Sequence, residues 1–321
     1  MKYAIIIPDG AADDPLPQLD GLTPLQAAKT PNMDEIARLG QLGTVRTVPD
    51  GFESGSDVAT MSLLGYDPAV YHTGRAPLEA AAQRIPLSPS DWVFRCNFVT
   101  TANGLMKDHS AGGLPDAEAR RLIDLLKRSG DIPAGFELHP GVSYRNLLVY
   151  KGDQKFDLKT KPPHEMLDEP LEKYLPSGEG SEILRKIIAD SAATLAAGDA
   201  GLASQVWLWG QGHPPAMPTF EQRFGVKNGA MISGVDLLRG LANLLGWGVV
   251  DVPGMTSFHD TDYAGQGRYT VEALKQYDLI VSHVESPDEA SHQADVETKI
   301  AAIEAIDEHV VGPVLERPAS K

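Results

Sequence analysis

Residues 3–10 read YAIIIPDG, a short apolar run that ends in Pro8, Asp9 and Gly10. A continuous apolar run rich in β-branched residues is typical of a parallel strand covered on both faces, so we predict a buried central strand over residues 3–7. Ligands of α/β proteins bind at the carboxyl ends of such strands, which is where Asp9 lies. An Asp-Gly pair is also a common start of a turn. Asp9 is therefore either a turn residue or a metal ligand or catalytic carboxylate.

Outward from this stretch, the patterns indicate alternating strands and helices at both ends of the chain. Apolar runs predict strands, and apolar positions at helical spacing predict helices. The strands are expected over residues 42–48, 92–99, 145–151, 205–209 and 278–284. The helices are expected over residues 57–65, 116–128, 181–197, 230–245 and 295–311. A further helix should begin after Thr30, a good N-cap residue.

This order predicts a doubly wound α/β fold whose sheet is mostly parallel, with a smaller α+β domain inserted into its middle. We expect a discontinuous core over residues 1–85 and 205–321 and an inserted cap or substrate domain over residues 86–204. Within the insertion, residues 152–180 are rich in proline and charge and have little periodicity, which predicts a loop or lid.

The composition limits the partners. The chain has 321 residues, of which 42% are hydrophobic, and its formal net charge is −16. So acidic a chain repels phosphate backbones and anionic lipids, and we therefore expect neither nucleic acid nor a membrane as a partner. Cys96 is the single cysteine, which excludes an intrachain disulfide and favours the cytoplasm. The apolar run near residue 1 is too short for a signal peptide or a membrane span, so we expect no targeting segment.

Two motifs carry possible chemistry. Ser56 precedes a predicted helix, so its hydroxyl is either an N-cap or, at the positive end of the helix, a nucleophile. Asp288 and His292 are four residues apart on the next predicted helix, so both side chains lie on one face and can reach a single metal. Such Asp/His pairs also arise by chance.

Several polar residues are candidates for binding an anionic substrate. An arginine on an acidic protein offers a forked contact to phosphate or carboxylate, although each residue taken singly is also an ordinary surface charge. These candidates are Arg75, Asp108, His109, Arg145 and Lys227.

Together these segments resemble a known family, the archaeal-type, cofactor-independent phosphoglycerate mutases of the alkaline phosphatase superfamily. The most similar subgroup is a bacterial one for which homoserine kinase activity has also been proposed. The matching strings occur in family order and are IIIPDGAAD, TPNMDEIARLG, SGSDVATMSLLGYDP, HTGRAPLEAA, FRCNFVT, GVSYRNLLV, WLWGQG, GAMISGVDLLRGLA and VESPDEASH.

The resemblance implies an alkaline-phosphatase-type core that binds two divalent metal ions (Mn, Mg, Zn or Co) and needs no 2,3-bisphosphoglycerate. Ser56 would form a phosphoserine. Asp9 and Ser56 would bind one metal, and Asp288 and His292 the other. The anion-binding candidates named above would surround a small phosphorylated hydroxy acid, with the inserted domain closing over the core. The expected reaction interconverts 3-phosphoglycerate and 2-phosphoglycerate.

The resemblance leaves alternatives open. Family members continue beyond His292 with a strand that ends in an Asp-His motif and then a further His, and we expect this chain to lack both. A related phosphotransferase, such as a homoserine kinase, or a phosphatase is one alternative function. A non-catalytic form that binds sugar phosphates is another. The oligomeric state is not predicted.

Overall fold

The structure is a computed structural model that describes residues 1–316. Its strands within that range are β1 (Tyr3–Pro8), β2 (Trp92–Ala102), β3 (Leu105–Asp108), β4 (Phe136–Val142), β5 (Arg145–Tyr150), β6 (Asp157–Lys159), β7 (Ser177–Glu179), β8 (Gln205–Gly212), β9 (Gly229–Ile232), β10 (Gly248–Val249) and β11 (Leu279–Val284).

The helices of the same range include several of a single turn. They are α1 (Pro24–Ala27), α2 (Pro31–Leu39), α3 (Ser56–Leu63), α4 (Pro68–Tyr71), α5 (Arg75–Ala82), α6 (Asp116–Ser129), α7 (Ser181–Ala197), α8 (Phe220–Phe224), α9 (Asp236–Leu244), α10 (Tyr263–Gln276), α11 (Ser286–His292), α12 (Val296–Ile306) and α13 (Gly312–Leu315). A π-helical segment, Asp307–Val311, joins the last two helices. None of these helices is both long enough and apolar enough to span a bilayer.

The chain divides into two units. The first unit comprises Met1–Val70 and the residues from Met217 onward, and the second comprises Tyr71–Ala216. The second unit thus includes residues 71–85 and 205–216, which the sequence-based boundaries assign to the core. It does so because α5 packs on β2 and β8 pairs with β2.

The first unit contains a parallel sheet in the order β1-β11-β9-β10. Strand β11 is buried along its whole length. Its apolar side chains contact two clusters, one that includes Ile232 and Leu274 and another that includes Ile306 and Val310. A strand enclosed on both faces needs apolar residues at successive positions, and this is why residues 278–284 were recognisable from the sequence.

The second unit contains an antiparallel sheet in the order β3-β2-β5-β4, with β8 paired to the other side of β2. One face of β2 presents Phe94, Cys96 and Phe98 to a core that also contains residues of α6 and α7. Strands β6 and β7 form a small separate sheet within residues 152–180. The α/β class with a parallel sheet and an additional α+β region is therefore confirmed.

Three local predictions were wrong. Residues 42–48 form no strand, and Leu42 and Val45 are exposed, because no neighbouring strand within residues 1–316 pairs with them. Residues 229–232 form β9, so the helix predicted over residues 230–245 begins only at Asp236. Strand β1 lies at an edge of the described sheet and exposes Tyr3, so it is not central.

The N-terminus of α2 is capped by a side chain that is distant in the sequence. Thr30 occupies the N-cap position but its side chain forms no capping hydrogen bond. The buried Asp307 carboxylate accepts instead from the backbone N–H groups of Asn32 and Met33, at 3.2 and 2.7 Å. A residue distant in sequence thereby satisfies donors that would otherwise remain unpaired at a helix start.

Candidate active site

The first unit brings carboxylates from two chain segments together. Pro8 and Val284 are partners in the register of β1 and β11, so the residues that follow them, Asp9 and Glu285, leave the sheet side by side. The backbone N–H of Asp9 donates to the carbonyl of Val284 at 3.0 Å and continues the pairing by one residue. Potential ligand atoms of Asp9, Glu285 and His283, a residue of β11, lie within 4.8 Å of one another.

Gly10 allows α11 to approach Asp9. It has a positive φ of 68°, and a Cβ atom at this position would lie 2.4 Å from Cα of Asp288. Only glycine tolerates both the conformation and the contact. This close approach places the Asp288 carboxyl beside Asp9, whose charge helps to shift the pKa of Asp288.

Ser56 lies next to the same carboxylate. It is the first residue of α3, and the N-cap position belongs to Gly55, so the N-cap interpretation of Ser56 was wrong. Its hydroxyl interacts instead with the Asp9 carboxylate and helps to lower the pKa of that group. The serine oxygen therefore lies at the positive end of a helix and next to an acidic cluster, the surroundings in which a hydroxyl can act as a nucleophile.

The electrostatics of the cluster differ from one carboxyl to the next. Burial acts to raise the pKa of Asp9, but its contacts with His283, and to a smaller extent with Ser56 and the Gly10 backbone, outweigh burial and hold that pKa below its ordinary value. Burial, together with the charges of Asp9 and Asp288, raises the pKa of Glu285 to about 8. Burial, followed by the charge of Asp9, also raises the pKa of Asp288. Several buried carboxyls without enough positive charge around them are the electrostatic condition that a bound cation relieves.

The remaining predicted ligand, His292, is at the end of α11. Its Nε2 lies 3.3 Å from Oδ2 of Asp288, so the two predicted ligands of the second metal are adjacent. The imidazole is 76% exposed and is free to turn toward an ion.

Lys227 is in the same unit but has other surroundings. It is exposed on the turn before β9, and its ion pair is with Glu221 at 3.9 Å. The described residues give Lys227 no contact with the acidic cluster.

The other four predicted substrate residues lie in the second unit. Arg75 begins α5, and Arg145 begins β5 with its guanidinium over the Tyr144 ring at 5.6 Å. The centroid of the His109 ring lies 5.9 Å from that of the Tyr144 ring and 6.0 Å from that of the His164 ring. Burial lowers the pKa of His164, and the positive charges of His109 and Arg75 act in the same direction. Positive and aromatic groups are therefore concentrated here, although the chain as a whole is acidic.

Asp108 has a structural part in this cluster. Its carboxylate accepts from the backbone N–H groups of Ser110 and Gly112 at 2.8 and 2.6 Å and from the Ser110 hydroxyl at 2.7 Å. These bonds close the turn that carries His109. Asp108 therefore holds the loop in its conformation, and both of its carboxylate oxygens already accept hydrogen bonds from that loop.

Sequence reasoning missed Glu285 as a site residue. An acidic residue just before a helix is an ordinary feature of a first turn, so its type alone carries no signal. The informative signal was its position directly after a buried strand, the same signal that identified Asp9. Its Oε2 is buried without a hydrogen-bond partner, which is what a carboxylate directed at a cation shows in a structure without ions.

Replacing Glu285 by glutamine should stabilise the metal-free protein. A carboxyl whose pKa is raised to about 8 keeps its proton longer in the folded chain than in the unfolded chain. The free energy of unfolding therefore falls as pH rises from the ordinary glutamate pKa to about 8, and Glu285→Gln removes that fall. We expect a gain on the order of 1–3 kcal/mol at pH 8 and little change at pH 5, measured by urea unfolding with a chelator present.

The exposed Glu297→Gln serves as the control and should leave the pH dependence unchanged. A Glu285→Gln protein that is no more stable than wild type at pH 8 would show that burial and the neighbouring carboxylates do not make ionised Glu285 unfavourable in the folded chain.

Comparison with known proteins gives a consistent result. A family model described as 2,3-bisphosphoglycerate-independent phosphoglycerate mutase matches residues 37–199. A protein of that name from Methanothrix thermoacetophila is 49% identical, over 98% of this chain and 81% of its own length. A protein from Geobacter sulfurreducens with the same name, marked as probable, is 41% identical, over 98% of this chain and 82% of its own length.

Solved structures agree with these relatives. A Pyrococcus horikoshii protein has a TM-score of 0.77 and 28% identity, covering 98% of this chain and 78% of that chain. The cofactor-independent phosphoglycerate mutase of Thermoplasma acidophilum has a TM-score of 0.62 and 27% identity, covering 98% of this chain and 84% of that chain.

Proposed function

Because the chain belongs to the 2,3-bisphosphoglycerate-independent phosphoglycerate mutase family, we propose that it interconverts 3-phosphoglycerate and 2-phosphoglycerate with Ser56 as the phosphoryl carrier. The observation that carries this proposal is the position of the Ser56 hydroxyl, which interacts with the Asp9 carboxylate at the edge of the parallel sheet and helps to lower its pKa. It supports a nucleophile held in one orientation beside a group of carboxylates.

The donor set of the cluster fits divalent cations. Asp9, Glu285 and Asp288 offer carboxylate oxygens, and His292 offers an imidazole nitrogen. Mixed oxygen and nitrogen donors suit Mn²⁺, Zn²⁺, Co²⁺ and, through oxygen alone, Mg²⁺. Bound ions would supply positive charge that lowers the pKa of a serine hydroxyl and neutralises a transferring phosphoryl group.

Ser56 and Asp9 have different parts in the proposed reaction. An ionised carboxylate can only accept a hydrogen bond, so the Ser56 hydroxyl would turn its hydrogen toward Asp9 and leave the lone pairs of Oγ free to attack phosphorus. The bond from Oγ to phosphorus forms as the bond from phosphorus to one glycerate oxygen breaks, and the proton lost by Oγ passes to that glycerate oxygen. Attack by the other glycerate hydroxyl then reverses these changes and regenerates Ser56. The depressed pKa of Asp9 makes it a weak base, so its part is to orient Ser56.

Positive groups of the second unit are suited to binding the anionic groups of a phosphorylated hydroxy acid. Arg145 and His109 lie near one another around Tyr144, and the charge of Arg75 reaches His164 in the same cluster. Arginine binds phosphate and carboxylate through paired hydrogen bonds, which orient the substrate as well as attract it. The reaction would take place in the cytoplasm, where a chain whose single cysteine is a buried free thiol needs no oxidising environment.

Turnover of the full chain tests the proposal. We expect metal-dependent conversion of 3-phosphoglycerate to 2-phosphoglycerate, followed by phosphorus NMR of aliquots quenched with a chelator, and no conversion when the chelator is present from the start. Release of inorganic phosphate without 2-phosphoglycerate would identify a phosphatase instead. Phosphorylation of homoserine by ATP without mutase turnover would identify a kinase. No reaction with any of these substrates would contradict a catalytic function.

Loss of the residues on α11 should weaken metal binding. We expect Asp288→Ala and His292→Ala each to raise the dissociation constant for Mn²⁺ by at least about tenfold, because each removes one ligand. Isothermal titration calorimetry on the chelator-treated protein measures this directly. The exposed neighbour Gln293→Ala is the control. Titration curves that match wild type for both variants would reject these two ligands.

A further inference from the structure

A buried histidine connects the acidic cluster to the interior of the first unit. His283 is 1% exposed, and both of its ring nitrogens have partners. Its Nε2 lies 3.0 Å from Oδ2 of Asp9, and its Nδ1 lies 3.2 Å from Oγ of Ser233. Ser233 follows β9, the strand next to β11, and is itself 0% exposed.

The two partners of the imidazole match one of its neutral tautomers. An ionised carboxylate only accepts hydrogen bonds, so Nε2 must donate to Asp9. The Ser233 oxygen already accepts from the backbone N–H of Val235 at 3.0 Å, and its own hydrogen remains available. That hydrogen matches an unprotonated Nδ1. All contacts are therefore satisfied by one neutral tautomer.

The backbone around His283 is fixed as well. The side-chain amide of Gln266, on α10, donates to the His283 carbonyl at 2.9 Å. The Gln266 amide also donates to Ser282 Oγ at 3.1 Å. The ring therefore points toward Asp9 from a strand whose position is held on both sides.

We propose that His283 is a positioning residue whose Nε2–H orients the Asp9 carboxylate toward Ser56, and that Ser233 fixes the tautomer that makes this possible. The Asp9 Oδ1 atom accepts from the Gly10 N–H at 3.0 Å, and Oδ2 accepts from His283, so each oxygen has a fixed donor. A carboxylate held in this way presents its remaining lone pairs in fixed directions. The catalytic consequence rests on the proposed function, whereas the tautomer and the geometry do not.

The competing assignment makes His283 a metal ligand. Its Nε2 is close to Asp9 and lies 3.4 Å from Oε2 of Glu285, so the three donor atoms could surround an ion. In that case Nε2 would lose its proton. The two assignments therefore differ in the protonation of a single nitrogen.

Nitrogen NMR of the full chain distinguishes them. Two-bond ¹⁵N–¹H spectra of the histidine rings would be recorded at pH 7.5, without metal and with Zn²⁺, and the His283 signals assigned by their loss in His283→Gln. We expect a protonated Nε2 and an unprotonated Nδ1 under both conditions. A proton on Nδ1, alone or on both nitrogens, or the loss of the Nε2 proton when Zn²⁺ is added, would overturn the proposal.

Two variants test the positioning role. The amide nitrogen of a glutamine reaches the position of Nε2, whereas that of an asparagine reaches only the position of Nδ1. We expect His283→Asn to lower kcat and to weaken Zn²⁺ binding by about 10–100-fold, with KM for 3-phosphoglycerate nearly unchanged. His283→Gln should recover most of both losses. Equal losses in the two variants, or no loss in His283→Asn, would overturn the proposal.

These readouts remain informative if the proposed function fails. A chain without mutase turnover would contradict the proposed function, whereas the NMR spectra and the Zn²⁺ titrations would still decide between a positioning histidine and a ligand. Ser233→Ala gives a separate check, since it should disturb the His283 tautomer without touching Asp9. An unchanged His283 spectrum in that variant would contradict the part assigned to Ser233.

Discussion

Replacement of Ser56 by alanine is expected to abolish mutase turnover while leaving the fold intact. The serine oxygen is the atom that accepts the phosphoryl group, and alanine offers none, so kcat should fall on the order of 10⁴–10⁶-fold. The structural cost is small, about 1 kcal/mol, because the variant loses only the interaction of the Ser56 hydroxyl with Asp9. The measurements are kcat at saturating 3-phosphoglycerate and the melting temperature.

Ser54→Ala is the matched control for this variant. Ser54 is an exposed serine two residues earlier, and its loss should change kcat less than about twofold. Mass spectrometry adds an independent readout, since wild type incubated with substrate should carry a phosphate on the peptide that contains Ser56. A Ser56→Ala protein that retained several per cent of wild-type turnover would remove Ser56 from the mechanism.

Replacement of Gly10 by alanine should disrupt both stability and the acidic cluster. The new Cβ atom would lie 2.4 Å from Cα and 2.8 Å from the backbone nitrogen of Asp288, so α11 has to move. The positive φ of 68° adds strain for any residue with a side chain. We expect a loss of about 2–4 kcal/mol in the free energy of unfolding and at least a tenfold loss in Mn²⁺ affinity.

Gly21→Ala separates the two causes. Gly21 has a similar φ of 81°, but a Cβ atom there would meet nothing within 4 Å. Its replacement should therefore cost only the conformational strain, about 1 kcal/mol, and should leave Mn²⁺ binding unchanged. If the two variants were equally stable and bound Mn²⁺ equally well, the close approach of α11 to Gly10 would have no energetic importance.

Several features of the candidate site follow from local sequence patterns. Asp9 was identified because it ends a run of apolar residues, and Asp288 and His292 because their spacing is that of one helical face. Ser56 drew attention as a hydroxyl at a helix start. The resemblance to the mutases added the expected roles of these residues. Their assignment as ligands, nucleophile and substrate contacts stays a prediction that the variants above address.

Other features escaped local reasoning because they depend on pairing. Residues 42–48 contain the apolar and β-branched residues of a strand, yet they have no partner within the described residues and form none. The sequence LGTVRTV favours an extended conformation. A strand nevertheless forms only where a neighbouring strand forms backbone hydrogen bonds with it. The edge position of β1 was missed for the same reason, because an apolar run does not reveal how many neighbours a strand has.

The amino-acid sequence by itself determined the α/β class, the helix over residues 181–197, the buried strand at residues 279–284 and the polar residues that end the strands. These are properties of short segments, since periodicity and apolar content act over neighbouring residues. Only the tertiary structure decided which of those polar residues meet. The register of β1 against β11 sets Asp9 beside Glu285, and His283 reaches Asp9 across 274 positions of the chain. Such contacts depend on strand order and register, which no single segment encodes.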